Sequence, residues 1–226
     1  MAGEMITWTT NGEQAPGYLS LPASTPAPGV IVLQEWWGLE PHIKDVADRF
    51  AGEGYVALAP DLYHGALVDE PDEARKLAME LDHPRAIREI ESAGQYLLSR
   101  DDVRGDGVGI IGFCMGGGLV LKVAAQTKIP SAAVVFYGRN PDPIEQVGEI
   151  DCPLLGIYGE EDQGIPVSEV ERLRSALERS GKSDFDLHVY PGAGHAFFND
   201  RRQAYDPEAS ADAWQKVLAL FKGNVG

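Results

Sequence analysis

Short apolar runs recur along the chain, and segments with apolar residues at helical spacing lie between most of them. A run that is continuously apolar is typical of a strand buried on both faces, whereas alternation of apolar and polar residues is typical of a half-buried one. On this pattern the predicted strands are residues 5–10, 14–21, 30–34, 55–59, a run starting at 107, 132–137, 154–158 and 185–190.

The intervening segments carry the helical period. Apolar residues at positions 43, 46, 47 and 50 predict an amphipathic helix that begins at Pro41 and ends at the glycines of positions 52 and 54. Further helices are predicted within residues 71–100, as two helices separated near the proline at position 84, and at 167–180 and 211–221.

Strands that alternate with helices predict a mostly parallel sheet with helices on both faces. The dipeptide Asn11-Gly12 lies between the first two strands and is a strong signal for a two-residue turn, so the chain should open with an antiparallel β-hairpin. We expect one α/β domain spanning residues 1–226, since folds of this class and length are commonly single.

The charge balance narrows the class of partner. A net charge of −16 argues against nucleic acid, which needs a concentrated basic face. The amino-terminal residues do not form a signal peptide, and no window is apolar enough for a membrane span, so we expect a cytoplasmic protein that is a monomer or weak homodimer. The histidines lack metal-ligand spacing, and neither a metal nor a cofactor is expected.

Residues 112–116 read Gly-Phe-Cys-Met-Gly, where a strand passes into a helix. This is the Gly-x-nucleophile-x-Gly form of a nucleophile elbow, with Cys114 where serine is usual. Glycine on either side lets strand and helix approach, and the helix amino terminus favours a thiolate. Taken alone, the motif fits a buried structural cysteine at least as well.

Polar residues that follow other strands change that balance. Asp162 follows the strand at 154–158 and His195 follows the strand at 185–190, so with Cys114 they have the order nucleophile, acid, histidine. His195 would accept or share the thiol proton, and Asp162 would orient the imidazole. Glu160 and Glu161 compete with Asp162 for the acid role, and Asp162 is favoured because it sits on the turn before the next helix.

The chain resembles the dienelactone hydrolase family from about residue 5 to residue 222. The resemblance rests on five motifs: Gln-Glu-Trp-Trp-Gly at 34–38, Ala-Pro-Asp-Leu-Tyr at 59–63, Gly-Phe-Cys-Met-Gly-Gly at 112–117, Gly-Glu-Glu-Asp at 159–162 and Gly-His-Ala-Phe at 194–197. It implies an α/β-hydrolase fold and a triad of Cys114, His195 and Asp162. It also implies that Glu35 contacts the resting cysteine and takes part in forming the thiolate.

An ester carbonyl attacked by Cys114 becomes an oxyanion, for which the backbone N–H groups of Trp36 and Met115 are the natural donors. One arginine that family members use to grip a substrate carboxylate is replaced here by Asn199, and the other falls at Pro71, with Arg75 as a candidate substitute. We therefore predict a hydrolase of carboxylic esters or lactones that favours small neutral esters. The remaining residues predicted to line the substrate pocket are Trp37, Tyr137, Phe113, Phe197, Phe198 and His64.

Three other interpretations stay open at this stage. The protein could be a true dienelactone hydrolase (carboxymethylenebutenolidase) of aromatic catabolism. It could be a thiol-based peroxide-removing enzyme, although a resolving cysteine is not evident and the acid and histidine would be unexplained. It could also be a non-catalytic ligand-binding module on the same fold, although such proteins normally lose a triad residue.

Overall fold

The computed structural model describes residues 2–10 and 12–226 and is built around one eight-stranded sheet. The strands are β1 Glu4–Thr10, β2 Glu13–Ser20, β3 Ala27–Leu33, β4 Val56–Pro60, β5 Val103–Phe113, β6 Pro130–Phe136, β7 Leu154–Gly159 and β8 Phe185–Tyr190. Their order across the sheet is β1-β2-β4-β3-β5-β6-β7-β8.

The pairing of the strands confirms the predicted class of fold. β1 pairs antiparallel with β2, and β2 pairs antiparallel with β4, whereas β4, β3, β5, β6, β7 and β8 are mutually parallel. The amino-terminal hairpin is therefore present. Half of its predicted Asn11-Gly12 turn, Asn11, lies outside the described residues, while Gly12 adopts a φ of +84° that favours glycine.

In the described part of the chain, six α-helices and one short 3₁₀ helix lie between or after the strands. The α-helices are α1 Pro41–Gly52, α2 Pro71–Glu80, α3 His83–Leu98, α4 Met115–Gln126, α5 Val167–Arg179 and α6 Pro207–Asn224, and the 3₁₀ helix is Ile144–Glu149. Helices α3, α4 and α5 bury apolar residues against one face of the sheet, and α1 and α6 bury theirs against the other. This gives two hydrophobic cores, as expected of a sheet covered on both sides.

One helix boundary and one short helix differ from the prediction for identifiable reasons. The last helix begins four residues before the predicted start at 211, because the Asp206 side chain caps it by accepting the N–H groups of Glu208 and Ala209 at 3.0 Å. The apolar stripe from which that helix was predicted starts only after the first turn. The 3₁₀ helix was not predicted, since a single short turn lacks a periodic signal.

The parallel strands direct their carboxyl ends to one edge of the sheet. Glu35 follows β3, Cys114 follows β5, Asp162 follows β7 and His195 follows β8, so the topology brings four residues that are distant in sequence to the same edge. Among residues 2–10 and 12–226, no helix is both long and apolar enough to cross a bilayer.

Candidate active site

The turn between β5 and α4 holds Cys114 in a strained backbone conformation. Its φ of 54° and ψ of −113° are unusual for a residue with a side chain, and its N–H is tied to the carbonyl of Phe136 at 3.0 Å. A Cβ on Gly112 would lie 2.3 Å from the carbonyl oxygen of Gly116, and one on Gly116 would lie 2.5 Å from that of Gln34. Both glycines are therefore required for this turn, and Cys114 lies half-buried at its apex.

Asp162 and His195 form a short hydrogen bond between the loops that follow β7 and β8. Nδ1 of His195 lies 2.6 Å from Oδ2 of Asp162, whose side chain is buried. The other carboxylate oxygen, Oδ1, accepts the N–H groups of Gly164 at 2.8 Å and Ile165 at 2.9 Å. With both oxygens occupied, the carboxylate is fixed in place and holds the imidazole in one orientation.

This environment shifts the protonation of His195. Burial favours the neutral imidazole, but the hydrogen bond to Asp162 and the negative charges of Cys114 and Asp162 outweigh it and raise the pKa of His195 to about 10. His195 is therefore a cation at neutral pH and a suitable partner for a thiolate on Cys114.

The two glutamates that compete with Asp162 face elsewhere. Glu160 is exposed and accepts the N–H of Gly192 at 3.1 Å, so its carboxylate supports the turn before His195. Glu161 is also exposed, and its backbone N–H bonds to the carbonyl of Ala193. Of the three acidic residues on this loop, only Asp162 reaches the imidazole.

Glu35 is buried beside the site and interacts with two polar side chains. Nδ2 of Asn199 donates to its Oε2 at 2.9 Å, and the hydroxyl of Tyr137 donates to its Oε1 at 3.4 Å. Among the described residues it makes no hydrogen bond to Cys114, the contact that the family resemblance implied. Burial raises the pKa of Glu35 to about 7, against the lowering effect of Asn199 and with help from the negative charge of Glu40.

The two backbone donors predicted for an oxyanion come from the loop after β3 and from the start of α4. Met115 is the first residue of α4, where an N–H has no intrahelical acceptor, and the N–H of Trp36 bonds to none of the described backbone carbonyls. The rings of Trp36 and Trp37 meet edge to face at 5.1 Å, and both are partly exposed. The guanidinium of Arg202 covers the ring of Trp37 at 4.1 Å.

Three of the aromatic residues predicted to line the pocket are core residues instead. Phe113, Phe197 and Phe198 are fully buried and pack with α1 and α6 on one face of the sheet, so none of them faces an open cleft. Phe113 is the last residue of β5 and precedes Cys114, and successive side chains of a strand point to opposite faces. Phe197 and Phe198 follow His195 in a turn and pack into the same core. Tyr137 is also buried, yet its ring centre lies 5.0 Å from that of His195.

The two predicted cationic or titratable pocket residues lie apart from the triad. Arg75 is on the outer side of α2, where its side chain is 64% exposed and pairs with Asp72 at 3.6 Å. Nε2 of His64 bonds to the buried carboxylate of Glu89 at 3.0 Å. Neither residue makes a hydrogen bond to Cys114, Asp162 or His195 among the described residues. The substitution of Arg75 for a carboxylate-binding arginine stays a prediction.

Sequence reasoning missed two residues that shape the site. Asn199 was noted only as a lost arginine, whereas its amide is the main partner of Glu35. Arg202 was not noted, although it stacks on Trp37 and bonds to Oε2 of Glu40 at 3.2 Å. Asn199 and Arg202 are spaced three apart after the histidine, which is the only sequence signal that they share a side of one turn.

Comparisons with known proteins show what the chain as a whole is similar to. Residues 15–225 match the profile of the Dienelactone hydrolase family. A protein of Saccharolobus solfataricus named as a candidate carboxymethylenebutenolidase is 32% identical, with 96% of this chain and 97% of that protein covered.

Two solved structures are also similar to this chain. A candidate dienelactone hydrolase from Klebsiella pneumoniae is 31% identical, covers 97% of this chain and 98% of its own, and has a TM-score of 0.90. A dienelactone hydrolase-like promiscuous phosphotriesterase from metagenomic libraries is 26% identical, covers 99% and 98%, and has a TM-score of 0.88.

Proposed function

Because this chain belongs to the dienelactone hydrolase family of ester and lactone hydrolases, we propose that it cleaves small neutral carboxylic esters through a Cys114–His195–Asp162 triad. The observation that carries the proposal is the 2.6 Å bond between Nδ1 of His195 and the buried Asp162, beside a cysteine at a strained elbow. The stability of the fold does not require a fixed carboxylate, a charged imidazole and a thiol at a strained turn to lie together. Acyl transfer by a cysteine requires all three.

In the first step the Cys114 sulfur attacks the ester carbonyl carbon. The new S–C bond forms as the carbonyl π electrons move to oxygen, and the N–H groups of Trp36 and Met115 would stabilise that oxyanion. When the carbonyl re-forms, the C–O bond to the leaving group breaks. His195 gives its proton to the leaving oxygen, so an alcohol departs and an acyl-thioester remains on Cys114.

In the second step water replaces the alcohol. Neutral His195 takes one proton from the water as its oxygen attacks the thioester carbonyl, and the same two N–H groups hold the second oxyanion. Collapse breaks the S–C bond and releases the carboxylic acid, which leaves the thiolate facing a protonated imidazole. Asp162 stays ionised throughout and stabilises the imidazolium.

The charges around the site support a neutral substrate over an anionic one. Asn199, which occupies the place of a family arginine, is fully buried, and its amide donates hydrogen bonds to Glu35 and Glu40. Arg202, which stacks on Trp37, is already paired with Glu40. Neither of these two positions therefore offers an unpaired guanidinium of the bidentate kind that recognises a substrate carboxylate well.

The test is a panel of p-nitrophenyl acetate, p-nitrophenyl butyrate and dienelactone, assayed with the wild type and with Cys114→Ser and Cys114→Ala. We expect the p-nitrophenyl esters to have the higher kcat/KM, and both variants to lose at least about 100-fold in kcat. A strong preference for dienelactone would overturn the neutral-ester assignment. Full activity of Cys114→Ala would overturn the mechanism.

A further inference from the structure

The hydroxyl of Tyr63 contacts the residue that follows the nucleophile and has a weak hydrogen-bond acceptor. It donates to the thioether sulfur of Met115 at 3.3 Å, and Met115 is the residue that follows Cys114. A thioether is a weak acceptor, whereas a phenolic O–H is a strong donor. Among the described residues, no other hydroxyl donates to a sulfur atom. Because sulfur is a weak acceptor, little free energy is lost if the Tyr63 hydroxyl turns toward an oxygen atom.

The loop that carries Tyr63 is held by buried side chains. Asp61 accepts the N–H of Tyr63 at 3.1 Å on one carboxylate oxygen and that of Gly65 at 2.7 Å on the other. Oε1 of the fully buried Gln34 accepts the N–H of Leu62 at 3.1 Å, so the loop is tied to the end of β3 next to the site. These bonds fix the position of Tyr63 before any substrate binds.

His64 adds a second anchor on the other side of Tyr63. It has a φ of +53°, and its imidazole bonds to both oxygens of the buried Glu89 carboxylate at 3.0 and 3.1 Å. The other non-glycine residues with positive φ in the described chain are Cys114, Tyr137 and Ala196, each within the site or adjacent to it. Strained residues of this kind persist where the surrounding structure fixes a functional geometry.

The protonation of Tyr63 suits a hydrogen-bond donor. Burial raises the pKa of its hydroxyl above the usual range, and the negative charge of Cys114 raises it further. The hydroxyl therefore stays protonated at neutral pH. It can donate to an anion without giving up its proton.

We infer that Tyr63 is a third donor to the oxyanion, its hydroxyl turning from the Met115 sulfur to the substrate oxygen as Cys114 adds to the carbonyl. The inference rests on the proposed function, since it needs the tetrahedral adduct on Cys114. No covalent bond of Tyr63 forms or breaks, and its proton stays on the phenol. Trp36 and Met115 supply fixed backbone donors from two sides, and Tyr63 supplies the side-chain donor.

The experiment compares the wild type with Tyr63→Phe and with Tyr96→Phe as a matched control. The Tyr96 hydroxyl, near the carboxyl end of α3, accepts a hydrogen bond from Arg100. Removal of this hydroxyl should leave kcat/KM for p-nitrophenyl acetate unchanged. For Tyr63→Phe we expect kcat to fall about 10- to 100-fold with little change in KM. Its unfolding temperature should stay within about 2 °C, since the lost bond is to sulfur.

A merely structural role is separated from catalysis by inhibitor binding. An alkyl trifluoromethyl ketone adds to the cysteine and carries the oxyanion, so its affinity should fall by the same factor as kcat/KM in Tyr63→Phe. The affinity for the product acetate should not change. A kcat/KM within twofold of the wild type, or a loss of activity with unchanged ketone affinity, would overturn the inference.

Two outcomes keep the inference distinct from the proposed function. If Cys114→Ala retains activity, the proposed function fails and the inference fails with it. If Cys114→Ala is inactive but Tyr63→Phe is fully active, the inference alone fails. Should Tyr63→Phe not fold, 3-fluorotyrosine at position 63 keeps the hydroxyl and strengthens it as a donor. Ketone affinity should then rise, and an unchanged or weaker affinity would overturn the inference.

Discussion

Nδ2 of Asn199 donates to Oε2 of Glu35 at 2.9 Å and also lies 3.4 Å from Oε1 of Glu40. One buried amide therefore serves two carboxylates. Arg202 neutralises Glu40, whereas Glu35 is left with neutral partners only, Asn199 and the Tyr137 hydroxyl. Protonation of Glu35 removes a buried charge that this pair of donors cannot fully stabilise, which is the physical reason for its raised pKa.

Glu35→Gln should stabilise the protein at alkaline pH. The folded-state pKa of Glu35 is about 7, above the ordinary 4.5, so folding favours the protonated form. Wild-type stability is then unaffected below pH 4.5 and falls as the pH rises from 4.5 to 7, by about 3 kcal/mol in total. Urea unfolding should show that the free energy of unfolding of the variant, relative to that of the wild type, is higher at pH 8 than at pH 4.5.

Glu178→Gln, on the exposed side of α5, is the control for that measurement and should leave the pH dependence of unfolding as it is in the wild type. A Glu35→Gln curve parallel to the wild-type curve from pH 4.5 to 8 would contradict the prediction.

His42→Phe should make the protein less sensitive to acid. His42 is buried between the rings of Phe113 and Phe198, with Nδ1 3.5 Å from Oδ1 of Asp200. Burial lowers the pKa of His42 to about 4 against the raising effect of Asp200. A depressed histidine pKa means that the unfolded state binds a proton first. Wild-type stability should thus fall by about 3 kcal/mol as the pH drops from 6.5 to 4.

The measurement is the slope of unfolding free energy against pH in the wild type and in His42→Phe. The slope between pH 6.5 and pH 4 should be shallower in the variant, whatever its absolute stability. Equal slopes would show that another group accounts for the acid sensitivity.

Asp162→Asn should lower kcat by about 100- to 10,000-fold and lower the pKa of His195 from about 10. The amide keeps the size of the side chain but removes the charge that stabilises the imidazolium. Titration of the His195 ring by NMR would follow the pKa, and steady-state kinetics would follow kcat. Glu160→Gln and Glu161→Gln serve as controls; loss of activity in either of them, with Asp162→Asn active, would reassign the acid.

Gly116→Ala should destabilise the fold by about 3 kcal/mol or more and abolish activity. Its Cβ would lie 2.5 Å from the carbonyl oxygen of Gln34 and 2.8 Å from that of Leu33. These backbone atoms are at the end of β3 and directly after it, and they cannot move independently of the strand. Gly223→Ala is the matched change within α6, where a Cβ meets no atom within 4 Å. It should be neutral or stabilising by about 1 kcal/mol in a thermal melt.

The strands that carry the site were predictable because buried parallel strands leave continuous apolar runs. The predicted run at 154–158 corresponds to β7 at Leu154–Gly159, and 185–190 matches β8. Strand ends then marked where polar residues gather. The glycines flanking Cys114 were equally readable, since few other residues tolerate such close backbone contact.

The pocket was not predictable in the same way. Phe113, Phe197 and Phe198 are aromatic and adjacent to the site in sequence, yet all three are core residues, because the direction of a side chain from a strand end or turn depends on backbone angles that no composition reveals. The contact of Tyr63 with Met115 joins residues 52 positions apart, which only the packing of two loops could determine.

The sequence by itself determined the class of fold, the order of the nucleophile, acid and histidine along the chain, and the nucleophile elbow. These features depend on local periodicity and on the backbone freedom of glycine. Only the tertiary structure decided that Asp162, not Glu160 or Glu161, meets His195, and that Asn199 and Tyr137 hold Glu35. Hydrogen-bond partners and burial arise from how distant segments pack. They follow from the arrangement of the whole chain in space, which local pattern does not encode.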